Sequence, residues 1–460
     1  MAQTLSPDFE DMAAQPAPAA AEAPAATKRR VRTDHHLWGT YILLVIIAVI
    51  ELFSASIQEV ADGEIFRPII RHGMFLLAGL VLMIIMQKMH YRWIYAMIPL
   101  YVGASVAMML WVMVGGREIN GAQRAIELGG IQLLPAEFLK LAAALGMAWI
   151  ISRNREPGKR DITQRGLVLT LGFLYLCCGL LFTQGLSNTI VVVAICFSMM
   201  LVCGVSWRKF IIALAITGFL GATGIYVKTS LKSSKPLTEQ QIRRAQLNGQ
   251  AINYDADGNV YIVGSGRGTT WKERVKRHFR PDKHLEAFSV DNQQEQLSYI
   301  AQAHGGLLGV GIGKSRENAR LPLAFSDYIF AIIVEELGLF IGLGILLCYM
   351  WILGRSAMLT TQFRQTVPGM MVMGCAFVIV FQALFHMAIV SGVVPVSGQP
   401  LPLISKGGIS VIATSLAFGV MLSVARHAAR ITDDKDRQEA ETELLPENAV
   451  SENPAMVEHV

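Results

Sequence analysis

Residues 296–338 read QLSYIAQAHGGLLGVGIGKSRENARLPLAFSDYIFAIIVEELG, in which a polar, glycine-rich approach leads into an apolar helix that carries three carboxylates. Asp327 stands at the start of the predicted helix, and Glu335 and Glu336 follow eight and nine residues further on. At about 1.5 Å of rise per residue, the two glutamates lie about 12–14 Å deeper along the axis. If that helix crosses a bilayer, each carboxylate costs at least about 2.5–3.5 kcal/mol to insert, so it is expected to be paired, hydrated or functional.

Two interpretations of Asp327 are open at this point. In the first, the carboxylate performs chemistry near the membrane surface, while Glu335 and Glu336 tie neighbouring helices together. In the second, Asp327 is an interfacial residue that the dipole at the helix N-terminus favours.

The whole chain has the composition of a polytopic membrane protein. Of its 460 residues, 53% are hydrophobic and 16% are charged, and the mean hydropathy is +0.43, which excludes a soluble globular chain. Ten apolar runs are long enough to span a bilayer, and they lie near residues 37–56, 69–87, 93–114, 134–152, 166–182, 188–205, 209–227, 325–354, 369–394 and 409–426. The predicted fold is therefore all-α, with about ten transmembrane helices.

Lysine and arginine in the short connections predict the orientation, because these residues accumulate on the cytoplasmic side. They cluster before the first run, in every second connection and after the tenth run. An even number of spans puts all these clusters on one side, with both termini in the cytoplasm and residues 228–324 outside as one large extracytoplasmic loop. The net charge of +5 therefore reflects topology, and no nucleic-acid partner is expected.

The chain divides into three parts by composition. Residues 1–33 are rich in alanine and proline and end in a basic cluster, which predicts a disordered cytoplasmic tail. Residues 34–430 form the ten-helix membrane domain. Residues 431–460 are acidic and without pattern, which predicts a second disordered cytoplasmic tail.

The outer segments carry basic and turn-forming sequences. Arg124 lies in the glycine-rich loop after the third run, where a guanidinium can grip a phosphorylated head group, and Glu137 and Lys140 are spaced to pair across one helical turn. The stretch INYDADGNVYIVGSG predicts a hairpin. The stretch GTTWKERVKRHFRP predicts a basic amphipathic helix, which either lies on anionic membrane lipids or presents a solvated charged face.

A segment of unusual composition precedes the last helix. Residues 391–410, SGVVPVSGQPLPLISKGGIS, are too rich in proline and glycine for a helix and too apolar for an ordinary exposed loop. Such a sequence is typical of a re-entrant segment that lines a cavity. Lys406 is its single charge. Gln382 and His386, four residues apart on the preceding helix, are expected to form a hydrogen-bonded pair inside the bundle.

Three blocks of this sequence together resemble one family. They are NGAQR…LGG…LLPAEFLKLA, then QLSYIAQAHGGLLGVGIGKS with LPLAFSDYIFAIIVEELG, and VPVSGQPLPLISKGGIS. They are similar to the SEDS family (shape, elongation, division and sporulation), and the resemblance covers about residues 36–428 with ten helices in the family's order. Within the family, the GVGIGKS block and the basic N-terminal extension are more similar to FtsW, the division member, than to RodA.

The resemblance implies a peptidoglycan glycosyltransferase that polymerises lipid II on the outer face of the cytoplasmic membrane. It implies a class B penicillin-binding transpeptidase as partner, together with other divisome proteins, and a place at the division septum. The family's catalytic aspartate falls on Asp327. One carboxylate suffices as general base to the attacking sugar hydroxyl, because a diphosphate leaving group needs no proton.

The departing diphosphate needs positive charge, from side chains or from a divalent cation such as Mg²⁺ or Mn²⁺ whose ligands the sequence does not identify. The candidate substrate-binding residues on the outer side are Arg124, Lys314, Arg320, Ser397 and Lys406.

The chain departs from the family's pattern around these residues. Where the family commonly has LPEAHTD, this chain has LPLAFSD, so that Leu323, Phe325 and Ser326 replace a glutamate, a histidine and a threonine. Ser397 replaces a usual lysine, and Lys406 stands where a tyrosine is common. We hypothesise that Lys406 compensates for the lost lysine.

Other functions are compatible with the same resemblance. A lipid II flippase would use Glu335 and Glu336 in a substrate or proton pathway, although the sequence has no inverted repeat of the kind that many transporters show. An elongation polymerase of the RodA type would share the chemistry. A scaffold for the transpeptidase would leave Asp327 with a structural role.

Overall fold

The computed structural model describes residues 33–59, 67–119, 122–128, 131–156, 161–231, 252–254, 260–262, 274–275, 278–280, 292–318, 320–321, 324–361, 363 and 366–443. The N-terminal tail predicted at residues 1–33 lies outside these residues except for Thr33. Most of the loop predicted at 228–324 and residues 444–460 also lie outside them. The prediction of one large extracytoplasmic loop therefore stays a prediction.

Ten described helices coincide, in order, with the ten predicted apolar runs. They are α1 (His35–Glu59), α2 (Arg67–Lys88), α3 (Tyr91–Gly115), α4 (Pro135–Arg153), α5 (Gln164–Gln184), α6 (Leu186–Val202), α7 (Trp207–Leu231), α10 (Ile329–Thr361), α11 (Thr366–Val390) and α12 (Gly408–Glu443). Two shorter helices, α8 (Gln293–Gly305) and α9 (Ala324–Asp327), precede α10.

Eight of the described helices are long and apolar enough to cross a membrane. Helix α6 is apolar but has only 17 residues, and α7 begins with a basic first turn that contains Arg208 and Lys209. The prediction of an all-α polytopic membrane fold is confirmed.

Helices α4, α11 and α12 are mostly buried and form the centre of the bundle, while α2 and α3 are mostly exposed. Small residues let α2 and α12 approach closely. A Cβ atom on Gly79 would lie 2.6 Å from the hydroxyl of Ser415, and one on Gly419 would lie 2.6 Å from Cβ of Met86. Such contact is what holds membrane helices together, because lipid provides no hydrophobic force between them.

Polar contacts at the helix ends show which ends lie together. The carboxylate of Asp34, before α1, accepts a hydrogen bond of 2.9 Å from Arg355 near the end of α10. In the same way Asp161, before α5, pairs at 2.8 Å with Lys209 at the start of α7. The start of α1 and the end of α10 therefore share one end of the bundle, as an even number of spans requires.

The connection between α3 and α4 forms a small antiparallel sheet that the sequence analysis did not predict. It consists of β1 (Arg117–Ile119), β2 (Ala122–Leu128) and β3 (Ile131–Leu133). Strands of three residues are too short to show a period, so only turn-forming glycines were apparent in the sequence. The predicted hairpin is confirmed, since β4 (Ile252–Tyr254) pairs antiparallel with β5 (Val260–Ile262).

The structure shows a helix in the first part of the segment predicted as the C-terminal tail, residues 431–460. Helix α12 does not end at residue 430 but continues to Glu443. The extension contains alanine, arginine, glutamate and glutamine, which are good helix formers, so it remains helical without an apolar face.

Helix α10 is broken at Gly338, where φ is 86° and ψ is 167°. The break frees backbone groups, and the glycine-rich loop after α8 satisfies them. The amides of Val310 and Gly311 donate to the carbonyls of Glu335 and Glu336 at 2.9 Å. The amides of Leu339 and Phe340 donate to the carbonyls of Gly306 and Leu307 at 3.1 and 3.3 Å. We call residues 305–313 with residues 334–340 the loop–helix joint.

Candidate functional site

Asp327 ends the short helix α9, and Tyr328 separates it from α10. The hydroxyl of Ser326 donates a hydrogen bond of 2.8 Å to Oδ1 of Asp327. Asp327 is only half-buried, and it lies before the membrane-spanning part of α10 rather than inside it. The carboxylate is therefore within reach of a ligand at the edge of the bundle.

Gly398 faces the carboxylate of Asp327 from the segment before α12. A Cβ atom at this glycine would lie 2.7 Å from Oδ2 and 3.3 Å from Cγ of Asp327. Gly398 is exposed, so the two residues meet at the surface of the bundle rather than in its packed interior. Any side chain at position 398 would displace or cover the carboxylate.

Polar side chains from other helices hold the segment that carries Gly398. Gln382 donates to the carbonyl of Pro400 at 3.3 Å, and the ring of His386 contacts the carbonyl of Gln399 at 2.6 Å. The hydroxyl of Tyr349 donates to the carbonyl of Pro402 at 2.6 Å. Gln382 and His386 thus share a face as predicted, but each bonds to this segment rather than forming the expected pair.

A buried charged network supports the same segment from α4. The ammonium of Lys140, which is 0% exposed, contacts Glu137 at 2.8 Å and Gln382 at 3.0 Å. The amide of Gln382 in turn donates to Glu137 at 3.2 Å. The predicted pairing of Glu137 with Lys140 is confirmed. A buried charge persists in such a place because it is both paired and hydrogen-bonded.

Lys406 and Ser397 lie on either side of Gly398 in this segment. The amide of Lys406 donates to the carbonyl of Phe325 at 3.0 Å, and its ammonium lies 5.5 Å from the Phe325 ring centre. The hydroxyl of Ser397 is shielded from solvent and has no hydrogen-bond partner among the described residues. The structure thus brings two of the predicted substrate-binding residues to the segment that faces Asp327.

The other three predicted substrate-binding residues have different surroundings. Lys314 is exposed in the loop that packs on α10, and a Cβ on Gly311 would contact its side chain at 3.4 Å. Arg320 is exposed and lies 3.6 Å from Glu317. Arg124 lies on β2, and its side chain is outside the described ones.

Glu335 and Glu336 are buried in the loop–helix joint. Glu335 contacts Nδ1 of His304 at 2.8 Å and accepts hydrogen bonds from the Ser315 hydroxyl and, at 3.1 Å, from the Arg316 amide. Glu336 accepts from the hydroxyl of Ser54 on α1 and from the Gly313 amide at 3.1 Å. These two carboxylates tie the loop and α1 to α10, as the first interpretation of the acids predicts.

Sequence reasoning missed a polar cleft next to Asp327. Its walls include Arg274, His278, Glu295, Tyr328 and Val396. Burial raises the pKa of Tyr328, and the charges of Asp327 and Glu295 raise it further, so its phenol stays protonated. The signal in the sequence was modest: Arg274 and His278 are four residues apart in the basic stretch, and Tyr328 directly follows the aspartate.

The arrangement is suited to general-base chemistry on a bound hydroxyl. A half-buried carboxylate lies beside an exposed glycine, with a hydroxyl donor on one oxygen. A cation lies within the segment that faces it. Proton transfer of this kind typically contributes about 10²–10⁴-fold to a rate.

The family model of the cell cycle proteins, FTSW_RODA_SPOVE, matches residues 34–246 and 270–430 of this chain. The probable peptidoglycan glycosyltransferase FtsW of Tolumonas auensis is 27% identical over 400 residues, which are 85% of this chain and 91% of that protein. Stage V sporulation protein E of Bacillus subtilis is 26% identical over 412 residues, 87% of this chain and 99% of that one. The peptidoglycan glycosyltransferase MrdB of Escherichia coli is 24% identical over 403 residues, 86% and 95% of the two chains.

Solved structures share the fold. One is a chain from a peptidoglycan synthase complex that coordinates polymerization and crosslinking. It superposes with a TM-score of 0.62 at 24% identity. The superposition covers 87% of this chain and 99% of the other chain. The rod shape determining protein RodA of Thermus thermophilus superposes with a TM-score of 0.55 at 22% identity, covering 86% and 97%.

Proposed function

The chain belongs to the cell cycle protein family FTSW_RODA_SPOVE, and from that premise we propose that it is a peptidoglycan glycosyltransferase that polymerises lipid II into glycan strands. Its relatives FtsW and MrdB carry the name peptidoglycan glycosyltransferase. The observation that carries the assignment of the active centre is the Asp327 carboxylate, half-buried and facing the exposed Gly398.

Asp327 acts as the general base. A hydroxyl oxygen of the acceptor sugar attacks the anomeric carbon of the donor, and the hydroxyl proton passes to Asp327. The bond from that carbon to the diphosphate oxygen breaks, and the lipid diphosphate leaves with the electron pair. The leaving group needs no acid, so the reaction does not require a second, protonated carboxyl group. The Ser326 hydroxyl orients Oδ1 of that carboxylate.

Lys406 supplies positive charge for the departing diphosphate. Its backbone is tied to Phe325, two residues before the base, so its ammonium lies at the same wall of the site. Ser397, where the family usually has a lysine, contributes a hydroxyl without a protein partner in the described chain. These positions support the hypothesis that Lys406 compensates for the lost lysine. Arg124, Lys314 and Arg320 remain candidates for contacts with other parts of the substrate.

A divalent cation, Mg²⁺ or Mn²⁺, is a further proposal for the diphosphate. Among the described residues, no group of three or more histidine, cysteine, aspartate or glutamate side chains is arranged to hold a metal ion. Such a cation would therefore take most of its ligands from the diphosphate and from water, as Mg²⁺ commonly does at phosphate sites, with Asp327 as the available carboxylate. When bound, it would neutralise the charge that develops on the leaving group.

We place the protein in the cytoplasmic membrane with both termini in the cytoplasm and with Asp327 on the outer side. The basic short connections support this orientation. We propose a class B penicillin-binding transpeptidase as its partner, since one solved relative belongs to a complex that coordinates polymerization and crosslinking. The predominance of FtsW among similar proteins favours septal synthesis with other divisome proteins over the RodA-type role in elongation.

A lipid II flippase is the second candidate. It would need Glu335 and Glu336 for a substrate or proton pathway, yet both accept hydrogen bonds from neighbouring segments of the fold. Transport is therefore less favoured by the surroundings of these acids than polymerisation is.

Purified full-length protein with its transpeptidase, in detergent with labelled lipid II, tests the function. We expect glycan strands from the wild type and none from folded Asp327→Asn. Strand formation equal in both would remove Asp327 from the chemistry. Absence of strands in both, with lipid II and the transpeptidase bound, would overturn the transferase in favour of transport or scaffolding.

A further inference from the structure

Two consecutive residues of the segment before α12 hold the backbone just before the proposed base. The hydroxyl of Ser405 donates a hydrogen bond of 2.8 Å to the carbonyl of Ser326. The amide of Lys406 donates to the carbonyl of Phe325 at 3.0 Å. Ser326 precedes Asp327, and its own hydroxyl donates to Oδ1 of that carboxylate at 2.8 Å. A chain of contacts therefore runs from Ser405 through Ser326 to the base.

The hydroxyl of Ser405 is buried and is used as both acceptor and donor. Ser405 is 1% exposed. Its oxygen accepts a hydrogen bond of 2.6 Å from the amide of Leu401, and its single proton is donated to Ser326. An alanine at position 405 would lose both bonds and keep the same Cβ. One hydroxyl thus joins a turn of the segment before α12 to the end of α9.

The turn that presents Ser405 has a fixed conformation. Leu403, in the middle of this turn, has a φ of 66°, which is unfavourable for a residue with a side chain. The amide of Ser405 donates to the carbonyl of Leu401 at 3.0 Å. From α10, the hydroxyl of Tyr349 donates to the carbonyl of Pro402 at 2.6 Å. Residues with such a strained backbone persist only where their surroundings fix them, and they are common at functional sites.

The same segment also meets the carboxylate of the base. A Cβ atom on Gly398 would lie 2.7 Å from Oδ2 of Asp327. The bond from Ser405 therefore fixes the backbone of Asp327 relative to the wall that its carboxylate faces. A general base must lie within hydrogen-bond reach of the proton that it takes, and a displacement of about 1 Å can lower a rate about 10²-fold.

We propose that Ser405 is a positioning residue for the general base. Its hydroxyl holds the carbonyl of Ser326 and so sets the direction of the Asp327 carboxylate, without contacting the substrate. This inference rests on the proposed function. It gives two neighbouring residues different roles, because Ser405 acts on the base and Lys406 acts on the leaving group.

The kinetics of lipid II polymerisation by the full-length protein with its transpeptidase test this role. We expect Ser405→Ala to lower kcat about tenfold or more and to leave KM nearly unchanged, because the groups that bind the substrate stay in place. Ser405→Thr keeps the hydroxyl and should recover most of kcat. Ser405→Cys keeps the size of the side chain with a weaker donor and should have an intermediate kcat.

Ser410→Ala is the matched control. Ser410 is 4% exposed in the first turn of α12, and its hydroxyl has no hydrogen-bond partner among the described residues. This variant removes the same atom from a buried serine five residues further along the chain. It should polymerise lipid II at the wild-type rate.

Two double variants separate an effect on the base from an effect on Lys406. In a Ser326→Ala background, Oδ1 of Asp327 has already lost its hydroxyl donor, so Ser405→Ala should lower kcat by a smaller factor than in the wild type. In a Lys406→Ala background, the factor should be the same as in the wild type. The reverse pattern would assign Ser405 to the lysine and overturn the inference.

Amide hydrogen exchange of residues 324–330 provides a readout that needs no turnover. Ser405→Ala should speed this exchange about five- to tenfold, whereas Ser410→Ala should not change it. Unchanged exchange, or an unchanged kcat, in Ser405→Ala would overturn the positioning role. Faster exchange in Ser405→Ala together with a wild type that makes no glycan would instead overturn the proposed function on which this role rests.

Discussion

Asp327 and the pair Glu335–Glu336 lie within ten residues of each other, and the protein surrounds them differently. Glu335 and Glu336 are 0% and 1% exposed, and backbone amides and hydroxyls of the loop and of α1 surround their oxygens. Asp327 is half-buried and faces Gly398. Any larger side chain at position 398 would collide with its carboxylate.

This difference supports the proposal that Glu335 and Glu336 are structural whereas Asp327 takes part in the chemistry. Where the fold itself provides the hydrogen-bond donors, the carboxylate joins two segments. Where the carboxylate is half-buried at the edge of the bundle, as Asp327 is, we propose that a substrate hydroxyl approaches it. Hydrogen bonds from neighbouring segments therefore explain how Glu335 and Glu336 are tolerated at membrane depth, whereas Asp327 lies before the membrane-spanning part of α10.

Gly338→Ala should produce the largest effect on the joint. Alanine strains a φ of 86°, and its Cβ would collide with the backbone of Leu307 and Leu308. We expect a loss of at least about 3 kcal/mol, seen as a large fall in the melting temperature in detergent. Gly344→Ala in the same helix is the control, because a Cβ there meets nothing within 4 Å. Equal melting of both variants would contradict the joint as a rigid element.

Lys406→Ala should lower activity without lowering stability. Loss of one positive group at a developing charge should slow lipid II polymerisation about 10²-fold, while the melting temperature stays near that of the wild type. Lys406→Arg keeps the charge and should retain most of the rate. A normal rate in Lys406→Ala would remove this lysine from the diphosphate site.

Glu51→Met should give the smallest effect, and one of opposite sign. Glu51 is 1% exposed on α1 near Glu336, and neither of its carboxylate oxygens has a hydrogen-bond partner among the described residues. Replacing an unpaired buried carboxyl by an apolar side chain should stabilise the protein by about 1 kcal/mol. A lower melting temperature would mean that Glu51 has a structural partner, like the two acids of the joint.

Much of the fold follows from the sequence, because apolar runs of spanning length have one stable solution in lipid. The spacing of Asp257–Gly258 between two β-rich runs also predicted the hairpin of β4 and β5. The sheet of β1–β3 was missed because its outer strands have three residues each. The continuation of α12 to Glu443 was not predicted because a polar helix has no hydrophobic period to mark it.

The site was predicted less completely. Asp327 and Lys406 stand out in the sequence because a charge next to an apolar run is unusual, and their roles stay predictions. The close approach of Gly398 to Asp327 was not predicted, since it depends on which segments meet in space. The ion pair of Arg320 with Glu317 was likewise not predicted. It depends on the local turn, which brings the guanidinium of Arg320 to 3.6 Å from the carboxylate of Glu317.

One pair of measurements tests the central claim most directly: the lipid II polymerisation rate and the melting temperature of Asp327→Asn and Glu335→Gln. We predict a crossed result. Asp327→Asn should lose about 10²–10⁴-fold in rate and melt like the wild type, because it removes only the base. Glu335→Gln should lose about 1–3 kcal/mol of unfolding free energy and therefore melt at a lower temperature. Its folded fraction should keep the wild-type rate. Loss of stability in Asp327→Asn with a normal rate, or loss of rate in folded Glu335→Gln, would contradict the division of roles between the two acids.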